Sequence, residues 1–110
     1  ESYEGQLMVA HVVLARVESP RYPDTVEAVV TQDNGPYRRD CQFSWWCDGK
    51  GYTPRDMQAW RRAQGVALLA LLTGPPPDMP LHYHARPVPP AWCVVTVRTV
   101  GRHHLCTVGE

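Results

Sequence analysis

ESYEGQLMVAHVVLARV, residues 1–17, decides the fold, because nearly every position from Leu7 to Val17 is apolar and the rest of a 110-residue chain must pack around it. The run reads as a buried helix. Ser2 is a strong N-cap, Glu4 puts a negative charge in the first turn where the helix dipole favours it, and Glu18-Ser19-Pro20 ends the helix. Apolar side chains circle most of the cylinder, with His11 and Arg16 as the main interruptions, so other elements should wrap it on several sides. A carboxylate, Glu1, stands at its N-terminal mouth.

The length suits one domain with a single core, over residues 1–110. Eleven basic and eleven acidic residues give a formal net charge of zero, so bulk electrostatics propose neither nucleic acid nor an anionic membrane as partner. No apolar run reaches the length of a membrane span, and no basic-then-apolar leader is present. The first residue is not Met, which reads as a domain of a longer polypeptide that lacks its N-terminal start. Four cysteines, Cys41, Cys47, Cys93 and Cys106, match neither a dense disulfide scaffold nor a CxxC zinc pattern. Cys41 and Cys47, separated by a short loop, either close a bridge in an oxidising compartment or stay reduced and buried like the other two.

Outward from the first helix, Asp24 is a second N-cap, and Val26, Val29 and Val30 at helical spacing predict about two turns. Residues 32–52 are rich in turn formers around Cys41-Gln42-Phe43-Ser44-Trp45-Trp46-Cys47, and their aromatic content predicts an ordered loop lining a cleft. Thr53-Pro54-Arg55-Asp56 opens a long helix with Pro at its first position, and Gly74 with three prolines after it closes that helix. Met57, Trp60, Ala63, Ala67, Leu68, Leu71 and Leu72 mark its expected packed face, and the two long helices are expected to supply most of the core. The period then shortens to two. Leu81, Tyr83 and Ala85 alternate with His82 and His84, predicting a strand with one packed and one open face. Residues 92–100 and 103–108 read as two further strands joined by a Gly101-Arg102 turn. The fold class is α+β, helices followed by a small antiparallel sheet at the C-terminal end.

Five blocks carry a family resemblance: ESYEGQ..VA.VVL.RV, SPRYPDTVEAVV, CQFSWWCDG, HYHA...P.W and VRTVGRHHL. In this order and spacing they resemble the SleB/CwlJ-type cell wall hydrolases, which include spore-cortex-lytic enzymes. The resemblance covers essentially the whole chain. It implies a lysozyme-like domain that acts on peptidoglycan, as a lytic transglycosylase or muramidase cutting between N-acetylmuramic acid and N-acetylglucosamine. Its place of work would be the periplasm or cell wall, or a bacteriophage virion that carries it. No cofactor is implied.

Such chemistry needs a carboxylic acid to protonate the leaving oxygen. One glutamate suffices in a transglycosylase, serving as acid and then as base while the muramic C6 hydroxyl attacks. The family's usual Gly-Glu-Ala/Ser-x-Gly-Glu segment places its catalytic glutamate at the earlier acid, and Glu1 aligns with the later one. Glu1 is the catalytic residue this chain offers, with an upstream glutamate as the alternative and a dipole-stabilising acid as the bland one. Two further departures are Ala15, where the family tends to have Asn, and His104-Leu105-Cys106 in place of Ile-Phe-Tyr.

Sugar rings offer apolar faces to aromatics and hydroxyls to short polar groups. Phe43, Ser44 and Trp45 in the loop, Tyr83 and His84 on the first strand, and His103 after the turn are the substrate-binding candidates. Against that stands a packing role for Phe43 and Tyr83 and a loop-satisfying role for Ser44, while Trp60 and Trp92 read as packing residues. A second reading places zinc on His82-x-His84, completed by His103, His104 or a cysteine, as in a zinc-dependent amidase. A third is a non-catalytic peptidoglycan-binding or virion structural domain.

Overall fold

The computed structural model describes residues 2–33, 41–43, 56–85 and 88–108. Helix α1 spans Tyr3–Glu18 and is capped as its sequence dictates, with the Ser2 hydroxyl accepting the Gly5 amide at 3.1 Å. Its buried residues, Gly5, Met8, Val12, Val13, Ala15 and Arg16, form a stripe too wide for one neighbour. The stripe feeds two clusters. Met8 and Val12 meet Val100 and Leu105 of the sheet, and Val13 meets Val29 and Phe43. Val9 and Tyr83 pack against both clusters and join them into one core.

Helix α2, Val26–Val30, is a single short helix capped by Thr25 in place of the expected Asp24, the Thr25 hydroxyl accepting the Ala28 amide. Helix α3, Met57–Thr73, starts at Asp56, whose carboxylate accepts the Gln58 and Ala59 amides at 3.0 and 3.1 Å. The expected cap at Thr53 lies outside the described residues. Gly74 ends the helix at φ 69, a left-handed value that glycine takes without steric cost, and its amide donates to the Ala70 carbonyl.

The inward face of α3 differs from the expected one. Val66 and Ala70 are its buried residues, whereas Met57, Trp60, Leu68, Leu71 and Leu72 are exposed, Leu72 at 75 %. This helix is apolar around much of its circumference, so periodicity offers several faces and the partner selects one. Short side chains at 66 and 70 let α1 lie close, and His11 Nε2 reaches Thr73 Oγ1 at 3.1 Å across the pair. The core is therefore centred on α1 and the sheet, with α3 contributing less than its composition suggests.

Strands β1 (His82–His84), β2 (Val95–Val100) and β3 (His103–Thr107) form an antiparallel sheet in the order β1-β3-β2. This is the helix-then-sheet α+β arrangement expected from the change in period. Gly101, at φ 58, makes the two-residue turn between β2 and β3. The register pairs Tyr83 with Leu105 and His84 with His104, and it shifts between Thr96 and Arg98. Leu105 and Val100 face α1, so the other face of the sheet carries His84, His104 and Cys106. That face is not the open one expected: His84 is only 7 % exposed. Cys93 and Cys106 form a disulfide there, with Cα atoms 5.3 Å apart, and Cys41 is also disulfide-bonded. The reduced reading of these three cysteines is thereby replaced by an oxidised one, and Cys47 lies outside the described residues.

Candidate functional site

A cleft of about 1070 Å³ opens between α1, α3 and the sheet. Its walls are apolar where the two helices contribute Val9, Val13 and Val66, and polar where Arg16, Tyr22, His82 and Tyr83 converge. The arrangement follows from α1. Arg16 falls one turn beyond Val12 and Val13, on the face the helix buries, so its side chain has nowhere to go but inward.

Arg16 is only 5 % exposed. Its Nε donates to the Leu81 carbonyl at 2.9 Å, tying α1 to the residue before β1. The guanidinium lies 4.8 Å from the Tyr22 ring centre and 5.5 Å from that of Phe43, within range of cation-π attraction. Its Nη1 is buried without a hydrogen-bond partner. A strong donor is thus buried unspent beside the cleft, where an unmade hydrogen bond is costly.

Tyr22 Oη lies 3.0 Å from His82 Nε2. Burial is the main cause holding the His82 pKa below its ordinary value, and the Arg16 and Arg21 charges add to it, so the ring is neutral near pH 7. With the proton on Nδ1, the ring accepts the Tyr22 hydroxyl. Tyr83 presents its ring to His103 edge-on at 5.2 Å. Burial raises the Tyr83 pKa while Arg16 opposes the rise, so its hydroxyl stays a protonated donor. The cleft therefore offers a cation, two phenols and an imidazole against apolar walls, a combination suited to a polar substrate with stacking faces.

The cell wall hydrolase family model matches residues 1–106. The chain belongs to the cell wall hydrolase family. A spore cortex-lytic enzyme of Halalkalibacterium halodurans is 30% identical over 110 residues, covering 96% of this chain and 30% of that protein. One of Bacillus subtilis (strain 168) is 28% identical over 109 residues, covering 96% of this chain and 32% of that protein. The chain thus spans about a third of the length of these curated relatives. No solved structure matches it significantly.

In this member of the cell wall hydrolase family, Phe43, Tyr83 and His103 all line the cleft. Phe43 also belongs to the core cluster with Val13 and Val29, so it packs and lines at once. His84 is not among the lining residues; next to Tyr83 on the strand, it sits behind the sheet between Trp92 and His104. Glu1, Ser44 and Trp45 lie outside the described residues, and no carboxylate lines the cleft among the described ones. Trp92 and Trp60, expected to pack, are 45 % and 43 % exposed, and Trp92 lines the cleft with its ring 6.1 Å from that of His82.

Arg16 and Tyr22 are cleft residues that site reasoning from the sequence passed over, and His82 entered it only as a zinc ligand. Arg16 carried a signal all the same, since a charge inside an otherwise apolar helical stripe must find buried partners or a ligand. Tyr22 carried none, because it meets His82 only through the tertiary fold, 60 residues apart. The histidines do not assemble into the zinc shell considered from sequence. His82 is engaged by Tyr22, His104 Nδ1 by Thr99 Oγ1 at 2.8 Å, and His103 faces the cleft.

Proposed function

We propose that this chain cleaves the glycan strands of peptidoglycan between N-acetylmuramic acid and N-acetylglucosamine, as a lytic transglycosylase with Glu1 as its acid and base. The observation that carries the reading is the cleft of a cell wall hydrolase family member in which donors and aromatic rings converge beside the C-terminal half of α1. In the reaction, the protonated carboxyl of Glu1 gives its proton to the glycosidic oxygen as that bond breaks. The muramic C6 hydroxyl then closes on the anomeric carbon, and its proton returns to the carboxylate. The product is a 1,6-anhydro sugar, and no water is consumed.

The chain's other groups bind and orient. The Arg16 guanidinium and the Tyr83 hydroxyl supply donors to the sugar and its substituents, while the Tyr22, Phe43 and Trp92 rings supply apolar faces. Ser44, Trp45 and His103 extend the same binding role. The substrate places the protein at the cell wall or in the periplasm, and a disulfide between Cys93 and Cys106 suits such an oxidising compartment. Digestion of purified peptidoglycan tests the assignment of the acid. Glu1→Gln should abolish glycan cleavage, whereas Glu4→Gln, at an exposed first-turn acid, should retain it. Full activity in Glu1→Gln would remove Glu1 from the mechanism.

A further inference from the structure

Behind the sheet, on the side away from α1, His84 poses a problem the cleft does not solve. It is only 7 % exposed, and both ring nitrogens are buried without a hydrogen-bond partner. A neutral imidazole carries one N–H donor and one lone pair, and a buried site that satisfies neither is destabilising. Trp92 meets the ring edge-on at 5.9 Å and His104 lies at 4.9 Å, which fixes the ring plane without supplying an acceptor. Beside it lies the Cys93–Cys106 disulfide. The two sulfurs and a His84 ring nitrogen all lie within 4.8 Å of one another.

We infer that His84, Cys93 and Cys106 form a zinc site when the disulfide is reduced, so that the disulfide and the metal are alternative clamps between β3 and the segment leading into β2, the metal adding β1 through His84. Two thiolates and an imidazole are a preferred zinc donor set, and bond lengths of about 2.3 Å to sulfur and 2.0 Å to nitrogen place such ligand atoms roughly 3.5–3.8 Å apart. The sulfurs must separate once their bond is broken, and the sulfur farther from His84 must close on its ring nitrogen by about 1.3 Å at most, a shift that the freed cysteine side chains supply by rotating about χ1. Water completes the tetrahedron.

The redox step balances with a dithiol as reductant. Its thiolate attacks the half-buried Cys93 sulfur, since Cys106 is 1 % exposed, and its second thiol resolves the mixed disulfide. The dithiol leaves as a disulfide, and the protein keeps two thiols. Zinc then displaces their two protons, which makes binding tighter as pH rises. One nitrogen of His84 gains the partner it lacks in the oxidised form.

The test uses the whole chain, oxidised and after anaerobic dithiol reduction, titrated with Co²⁺ as a spectroscopic probe and back-titrated with Zn²⁺. The reduced chain should bind one equivalent with a thiolate-to-cobalt absorption that zinc abolishes, and the oxidised chain should show none. His84→Ala should weaken binding at least tenfold, which separates this site from metal held by Cys41 or Cys47. The His84 ring ¹⁵N resonances of the unsubstituted reduced chain should also shift on zinc addition, a readout that needs no variant to fold. Equal affinity in His84→Ala, unmoved His84 resonances, or a reduced chain that takes up no cobalt would each overturn the assignment.

Discussion

Arg16 Nε donates to the Leu81 carbonyl at 2.9 Å, joining residues 65 apart in sequence and fixing where β1 begins relative to α1. The same side chain, which lines the cleft, leaves Nη1 buried without a partner. One residue therefore ties α1 to β1 with one nitrogen and leaves another unbonded. Replacing it by Met keeps the volume, loses one charge-assisted hydrogen bond and relieves the buried, unbonded Nη1. These effects oppose each other, each on the order of 1–3 kcal/mol. Arg16→Met should consequently change unfolding free energy by only about 1 kcal/mol while lowering kcat/KM on peptidoglycan at least tenfold. Urea melts and initial rates on the same preparations check both, and unchanged rates would remove Arg16 from substrate binding.

The Cys93–Cys106 bridge closes a loop across β2 and its turn into β3, with the cysteines 13 residues apart. Loops of this size gain about 3 kcal/mol from closure. The double substitution Cys93→Ser/Cys106→Ser should lose about that much, measured as a fall in the urea midpoint at unchanged slope. It leaves Cys41 oxidised, which treatment with a reductant does not.

His82 gives a pH dependence with a definite sign. Its folded pKa lies below the ordinary 6.5, first through burial and then through Arg16 and Arg21. Above pH 6.5 the ring is neutral in both states and its contribution to stability is fully present. As pH falls from 6.5 through the folded pKa, the unfolded chain binds the proton first, and stability is lost. His82→Phe should flatten the fall in stability between pH 7.5 and 5 relative to the unsubstituted chain, as read by urea titrations at fixed ionic strength. An identical slope in both proteins would contradict this.

On α3, Leu72 at 75 % exposure and Val66 at 3 % make opposite predictions. Leu72→Ser should stay within about 0.5 kcal/mol of the unsubstituted chain. Val66→Ala should cost about 1–2.5 kcal/mol, by loss of buried methyl groups and the space they leave. Thermal melts of the two variants decide which face of the helix is inward.

These residues also show what a sequence discloses and what it withholds. Ser2, Gly74 and Gly101 act locally, so the start of α1, the end of α3 and the turn between β2 and β3 were legible from residue type alone, whereas the start of α3 fell at Asp56 and not at Thr53. The alternation from Leu81 to Ala85 located β1 by the same local logic. The inward face of α3 was not legible, because a helix apolar on several sides is oriented by its neighbour. Tyr83 and His103 were placed at the cleft through family resemblance and Phe43 by its aromatic ring in the loop, and all three line it. His84 was placed there too, but its ring lies between Trp92 and His104, whereas His82, two residues earlier on the same face of the strand, reaches the cleft beside Tyr22. The Cys93–Cys106 bond has no local signature, since it depends on a register set by both neighbours of β3.

The mass of the muropeptides released from purified peptidoglycan tests the central claim most directly. Transglycosylation predicts 1,6-anhydro-muramic products, one water lighter than the hydrolysed sugars, formed by the unsubstituted chain and absent with Glu1→Gln. Reducing-end muramic products would replace transglycosylation by hydrolysis. Free stem peptides with intact glycan strands, suppressed by a chelator, would contradict glycosidic cleavage altogether.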